Sequence, residues 1–252
     1  MQKNLLLVCG ALLCLAIAAC SKTDVAPVDS TTEVLPAISI QSLNIVQQNN
    51  IVILGGSTAW GQGASSVQNT WVYKLRAKLK TVDKKDTIIN LAFPGYTTYH
   101  VRATEGAKVT KRPDADTLRN ITVALRKHPK LIIVSLPSND INNGYTNEEI
   151  LNNYKALVST FVKENIPYIL TSNQPRNFSY DQRLRLRNFT TLLAKTFPGH
   201  VIDYLNQLGD SQWSYKLIYN CGDGVHPNDR GHDVIYNAFI NYAPFKAAVG
   251  MK

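Results

Sequence analysis

The 252-residue sequence predicts an α/β fold, a three-layer α/β/α sandwich around a central parallel sheet of about five strands. Two observations carry that expectation. Five short runs are nearly continuous in β-branched and apolar residues, the pattern of strands buried on both faces. Amphipathic segments with helical spacing lie between them. No Gly/Pro/Ser-rich linker and no internal repeat interrupts the body, so a single domain over residues 49–252 is expected.

The runs come in chain order as Ile51–Leu54, Thr87–Leu91, Leu131–Ser135, Tyr168–Thr171 and His200–Asp203. After the first, Trp71–Leu79 places Val72, Leu75 and Leu79 on one stripe with basic residues opposite. After the third, Ile150–Val162 gathers Ile150, Tyr154, Leu157, Val158 and Phe161 on one face. Leu184–Phe197 follows the fourth run, and Val234–Tyr242 forms the final helix. An open sheet of this kind binds ligands outside the carboxyl ends of its strands.

The amino-terminal segment is of a different kind. Lys3 precedes the apolar stretch Leu5–Ala19, which ends in small residues before Cys20. A basic start, a short apolar run and small residues describe an export signal, too short for a comfortable membrane span. The segment resembles a bacterial lipoprotein signal. That resemblance implies removal of residues 1–19, lipidation of Cys20 and a membrane anchor followed by a tether over residues 20–48. Ser21 after the cysteine, with no Asp retention signal, implies the outer membrane, with the domain facing the periplasm or the surface. An ordinary cleaved signal with an incidental cysteine is the alternative. Cys9 and Cys14 leave with the signal, so Cys221 alone remains in the body and is expected to be a buried or half-buried structural thiol.

Hydrophobic residues at 44% and charged residues at 18% exclude disordered, collagen-like and polytopic membrane chains. The formal charge of +9 is spread over segments such as Lys74–Lys85 and Arg183–Arg187, as solvent faces of helices require. An anionic polysaccharide or envelope surface suits that charge, whereas nucleic acid is not an expected partner of an exported protein.

Three strand exits and one loop before the last helix hold the candidate chemistry. Gly55–Gly63 is glycine-rich and presents Ser57, but it lacks both G-x-G-x-x-G and a P-loop lysine. Ala92–Thr98 contains a Pro94-Gly95 turn. Leu136–Gly144 carries Asn139, whose amide is a donor. Cys221–Asn228 brackets Asp223 and His226, three residues apart, a spacing that lets the carboxylate fix the imidazole tautomer.

Together these four blocks resemble the SGNH (GDSL-type) hydrolase family, over about Ile51 to Tyr242 and in the family's order. The resemblance implies a flavodoxin-like sheet and ester hydrolysis through an acyl-enzyme, with no cofactor. Ser57 matches the nucleophile, His226 the base and Asp223 the residue that orients it. The oxyanion hole falls to the N–H groups of Ser57 and Gly95 and the side-chain amide of Asn139. Two positions depart from the family's pattern: Gly56 stands where Asp is usual, and Pro137 where Gly precedes the asparagine. Neither removes a catalytic atom, but Gly56 deletes a carboxylate beside the nucleophile.

Other residues compete for these roles. His100 and His128 fall in helical or basic segments, and His200 opens a strand, where structural roles prevail. Asp223, His226, Asp229 and His232 could form a metal site only by converging across the Pro227-Asn228 helix start, and no cysteine cluster supports one, so no metal is expected. Members of the family act on acetylated sugars, lysophospholipids, aryl esters and thioesters. Trp60, Trp71, Tyr96, Tyr99 and Trp213 are candidate sugar-stacking aromatics, and Arg176 in the loop Ser172–Asn177 a candidate substrate contact. No long apolar lid is evident. A short-acyl esterase acting on carbohydrate is therefore the leading expectation. A lysophospholipase, arylesterase or thioesterase, or a non-catalytic glycan-binding lipoprotein, remains the alternative.

Overall fold

A computed structural model of the protein describes residues 49–136 and 138–252. The signal, the Cys20 anchor, the tether and Pro137 lie outside the described residues.

Five strands form one parallel sheet. They are β1 (Asn50–Gly55), β2 (Thr87–Asn90), β3 (Pro129–Ser135), β4 (Tyr168–Thr171) and β5 (Val201–Ile202), in the spatial order β2-β1-β3-β4-β5. The helices, in chain order, are α1 (Ser57–Trp60), α2 (Trp71–Val82), α3 (Ile121–Leu125), α4 (Ser138–Asn142), α5 (Asn147–Lys163), α6 (Tyr180–Thr196), α7 (Leu205–Leu208), α8 (Asp229–Ile240) and α9 (Ala243–Val249). Among the described residues no helix is long and apolar enough to cross a membrane.

Side chains alternate across the strands, so the sheet divides the core in two. Val52, Leu54, Ile132, Val134 and Leu170 pack with α5 (Tyr154, Leu157, Phe161) and α6 (Leu186, Phe189, Leu193). Ile51, Ile53, Leu131, Ile133 and Ile169 pack on the opposite face with Leu75 and Leu79 of α2, Phe239 of α8 and Phe245 of α9. Each of these fully buried side chains contributes about 1.5–3 kcal/mol relative to exposure. On the second face Trp71 stacks on Phe239, with ring centroids 4.9 Å apart. The helices start where side chains can satisfy their first N–H groups. Thr146 with Glu149 and Ser179 with Gln182 form capping boxes for α5 and α6, while Thr70 and Asn228 cap α2 and α8.

The structure shows the expected sandwich but shifts several boundaries. Thr87–Leu91 ends as a strand at Asn90, whose side-chain oxygen accepts from the Ala92 N–H and turns the chain. The fifth run contributes only Val201 and Ile202, because it pairs on one side alone at the sheet edge. Val234–Tyr242 falls in the later part of α8, which ends at Ile240, and is not the final helix. That place belongs to α9, which starts at Ala243–Pro244 and buries Phe245 and Val249. Cys221 is exposed, in contrast to the buried or half-buried thiol expected, because it sits on the outside of the loop before α8.

The topology places the site. Chain direction across the sheet reverses between β1 and β3: β2 lies to one side of β1, and β3 and β4 follow on the other. Ligands of such sheets bind in the crevice outside the carboxyl ends at that switch point. Ser57 follows β1 and Asn139 follows β3.

Candidate active site

The loop that presents Ser57 is built by two glycines. A Cβ on Gly55 would lie 2.8 Å from Ala59 Cβ and 3.0 Å from the Ser135 carbonyl, so only glycine lets α1 begin directly against β3. Gly56 donates its N–H to the Ser135 carbonyl at 3.2 Å, and Ser57 becomes the first residue of α1. A four-residue helix is not stable by itself. Partners outside the helix fix its carbonyls: Trp71 Nε1 donates to the Thr58 carbonyl (2.9 Å) and Asn90 Nδ2 to the Ala59 carbonyl (2.7 Å).

His226 reaches this serine from the other end of the chain. Its Nε2 lies 2.8 Å from Ser57 Oγ, and its Nδ1 lies 2.5 Å from Asp223 Oδ2. A neutral imidazole that donates from Nδ1 to the carboxylate leaves Nε2 free to accept from the serine hydroxyl. Asp223 also accepts the backbone N–H groups of Val225 and His226, each at 2.8 Å. Partial burial pushes the Asp223 carboxyl up, but the His226 ring and the two backbone donors outweigh it. The group is held well below the ordinary carboxylate range. Two supports for this loop were not singled out in the sequence. Asn220 Oδ1 accepts from Gly222 and Gly224, and its Nδ2 donates to the His226 carbonyl at 2.9 Å. Gly63, with φ +93°, packs so tightly that an added Cβ would lie 2.3 Å from the Pro227 carbonyl and 2.9 Å from His226 Cβ.

Three donors lie at the switch point. The N–H of Ser57, at the start of α1, has no acceptor among the described residues, and neither has that of Gly95. Gly95 adopts φ +82°, which aims its N–H away from the Phe93–Tyr96 turn. Asn139, on α4, donates one amide hydrogen from Nδ2 to the Tyr96 carbonyl (2.9 Å), leaving the second unengaged. Its Oδ1 accepts from Arg176 at 3.0 Å, which fixes the amide orientation. Arg176, expected to touch substrate, thus also positions Asn139. Gly56 has an extended backbone, and a Cβ there would meet Asn139 Nδ2 at an ordinary 3.5 Å.

Asp140, beside Asn139, escaped the sequence reading. It is fully buried and accepts from the Thr98 N–H (2.9 and 3.1 Å) and the Thr98 hydroxyl (2.5 Å), while Asn153 Nδ2 donates to that hydroxyl at 2.9 Å. The loop that carries Gly95 is thereby clamped to α4. Burial pushes Asp140 up to about 7 against the hydrogen bonds that favour its ionised form. A cavity of about 20 Å³ borders Ser57 and Asn139 and is lined further by Ser135, Ser172, Asn173 and Gln174. Buried Asn173 Nδ2 and Thr58 Oγ1 lack hydrogen-bond partners among the described residues.

Other candidates fall away from the centre. His232 Nδ1 accepts from the Trp71 N–H and its Nε2 donates to the Gln62 carbonyl; burial pushes its pKa down to about 4. His100 lies in a turn rather than a helix, with Nδ1 accepting from Thr97 N at 3.1 Å, and His200 Nδ1 is 3.0 Å from the Tyr168 carbonyl. Asp229 binds Ser65 and Asn69 instead of converging with Asp223 and His226. Among the described residues no three His, Cys, Asp or Glu groups come together as a metal site. Of the five aromatics offered to sugar, Trp71, Tyr96 and Tyr99 are core residues, Trp213 packs half-buried against the core, and Trp60 is exposed.

A serine, an imidazole and a carboxylate in a hydrogen-bonded line, set at the switch point of a parallel sheet, define a serine-hydrolase type of site. The sequence pattern of the GDSL-like lipase/acylhydrolase family matches residues 53–234. The chain belongs to that family and is an ester-hydrolysing enzyme. No curated protein matches it. Among solved structures, it is similar to a GDSL-like lipase from Bacteroides thetaiotaomicron, with 18% identity, 81% of this chain and 91% of that one covered, and a TM-score of 0.57. The psychrotrophic esterase EstA from Pseudoalteromonas sp. gives 20% identity, coverage of 77% and 96%, and a TM-score of 0.55. The acetyl xylan esterase AlAXEase gives 17%, 77% and 99%, and 0.59. These likenesses show a shared fold.

Proposed function

We propose that the enzyme removes short acyl groups, acetyl above all, from carbohydrate esters, with Ser57 as nucleophile, His226 as base and Asp223 as its orienter. The observation that carries this reading is the hydrogen-bonded line from Ser57 Oγ through His226 to Asp223. As Ser57 Oγ attacks the ester carbonyl, His226 Nε2 takes the hydroxyl proton, and Asp223 stabilises the imidazolium. Oxyanion charge meets the N–H groups of Ser57 and Gly95 and the free amide hydrogen of Asn139. Collapse breaks the ester C–O bond, and the leaving alcohol carries away the proton from Nε2. Water then loses a proton to the same nitrogen, attacks the acyl-enzyme and releases the acid as Ser57 regains its hydrogen.

Two features support a short acyl group on a sugar. The polar cavity of about 20 Å³ beside Ser57 and Asn139 is near the size of one water molecule and has no room for an alkyl chain. A structural neighbour is an acetyl xylan esterase. The amino-terminal sequence supports attachment to the outer membrane through lipid on Cys20. Radiolabelled palmitate should enter the wild-type chain and not Cys20→Ala.

A fluorophosphonate probe tests the chemistry. Labelling mapped to Ser57, and lost in Ser57→Ala and His226→Ala, is the expected result. A folded protein that stays unlabelled overturns the assignment. Acetate release from acetylated glycans, with lysophospholipid left intact, tests the substrate class; the reverse pattern overturns it.

A further inference from the structure

We propose that Trp60, Phe93 and Arg119 form a subsite for a carboxylate-bearing sugar, so that the preferred ester sits on a uronate-containing glycan. The inference rests on the esterase reading and narrows its substrate.

Position comes first. Trp60 ends α1, three residues and about 4.5 Å of helix rise beyond Ser57. Phe93 lies two residues before Gly95 in the oxyanion loop. Their rings meet edge to face at 5.6 Å, yet Trp60 is 48% exposed and Phe93 40%. Neither belongs to either core cluster. Large aromatics left open on the rim of a catalytic crevice offer an apolar surface to the C–H face of a pyranose ring.

Charge comes second. The Arg119 guanidinium carbon lies 4.9 Å from the Phe93 centroid and 5.5 Å from that of Trp60, so stacking holds the cation in place. In the same stretch of chain, Arg112 pairs with Glu149 and Lys108 with Asp114. No carboxylate among the described residues forms an ion pair with Arg119. The nearest acid in sequence, Asp116, is engaged by the Tyr96 hydroxyl and the Leu118 N–H. Among the described residues the one polar contact of the guanidinium is a long 3.5 Å bond to the Ala92 carbonyl. An arginine fork with unfilled donors, held over the ring of Trp60 three residues beyond Ser57, matches a carboxylate bidentately. Of common sugar groups, the uronate C6 carboxylate supplies that anion on the ring that stacks. Neutral glycans leave the fork unused.

The test compares acetylated oligogalacturonate with acetylated mannan oligosaccharides, with p-nitrophenyl acetate as a simple ester. The wild-type enzyme should favour the uronate substrate by about tenfold in kcat/KM, as a charge-assisted contact warrants. Added salt should narrow that preference. Arg119→Gln should bring the ratio close to one. Because both substrates are read on the same variant, partial loss of folded protein cancels. Arg119→Lys should recover little, since an ammonium neither stacks nor forks. Equal kcat/KM on the two glycans in the wild type, or a preference retained in Arg119→Gln, overturns the subsite while hydrolysis of the simple ester leaves the esterase reading standing. Absence of hydrolysis of all three esters overturns the esterase reading. The subsite is then judged on Ser57→Ala by calorimetry with unesterified oligogalacturonate and mannan: selective, salt-sensitive binding of the uronate upholds it, and equal or absent binding overturns it.

Discussion

Asp140→Asn tests whether a buried carboxylate holds the Gly95 loop to α4. In the folded protein burial places Asp140 at about 7, against an ordinary value of 3.8. Between those values the unfolded chain has released this proton and the folded chain has kept it, so stability falls as pH rises through the window. The full shift of about three units corresponds to about 4 kcal/mol, of which roughly 2.5 kcal/mol falls between about pH 5 and about pH 8. His232 acts in the opposite sense. Burial lowers it from 6.5 to about 4, so its contribution is present above 6.5 and is lost as pH falls toward 4. The wild-type curve therefore mixes both effects, whereas the difference between wild type and Asp140→Asn cancels His232. Urea unfolding at both pH values should show the variant gaining on the wild type by about 2–3 kcal/mol from the acid to the basic side. At about pH 8, where Asp140 is ionised, kcat should fall by about tenfold, because asparagine offers Thr98 one acceptor where the carboxylate offers two. A stability difference that does not move with pH refutes the burial argument. Unchanged kcat refutes the clamp.

Three further outcomes follow from the geometry. Asn139→Ala should reduce kcat by about a hundredfold or more while the unfolding midpoint changes little; equal kcat would remove the amide from the oxyanion role. Gly63→Ala should destabilise the fold by about 1–3 kcal/mol and lower kcat, since its Cβ meets the Pro227 carbonyl at 2.3 Å and φ is positive. Gly95→Ala, where nothing lies within 4 Å of the Cβ, should lose about 1 kcal/mol at most from the backbone, so equal losses at both glycines contradict the packing account. Gly56→Asp should fold with near-parental stability, because the backbone is extended and the new Cβ meets its neighbours at 3.5 Å or more; a large drop in melting temperature would show that the loop does not tolerate a family-type aspartate.

What was legible in the sequence was chemistry written within a few consecutive residues. A strand buried on both faces announces itself as an apolar run, which is why Ile51–Leu54 and Leu131–Ser135 fall inside β1 and β3. Ser57 follows such a run through two glycines, and Asp223 and His226 share one short loop, so each part of the line could be read where it stands. Elements without a local pattern were lost. The seven-residue α9 has only Phe245 and Val249 as fully buried apolar anchors, too few to show a period. The five aromatics could not be sorted by type alone, because exposure depends on partners such as Phe239 for Trp71.

The positioning groups were illegible for a stronger reason. Asp140 acts on Thr98 across 42 residues, and Asn153 reaches the same hydroxyl across 55. Arg176 reaches Asn139 across 37, and Arg119 lies over a ring that the sheet order, not the sequence, brings near. Each is an ordinary polar or basic residue in its local setting. They matter only because parallel strands deliver their exits to one edge, where loops distant in sequence become walls of one crevice. Reaction type depends on the local motifs and was read from them. Substrate choice depends on how those walls meet, which is why the proposed uronate subsite rests on the cation over Trp60 and Phe93 rather than on any motif.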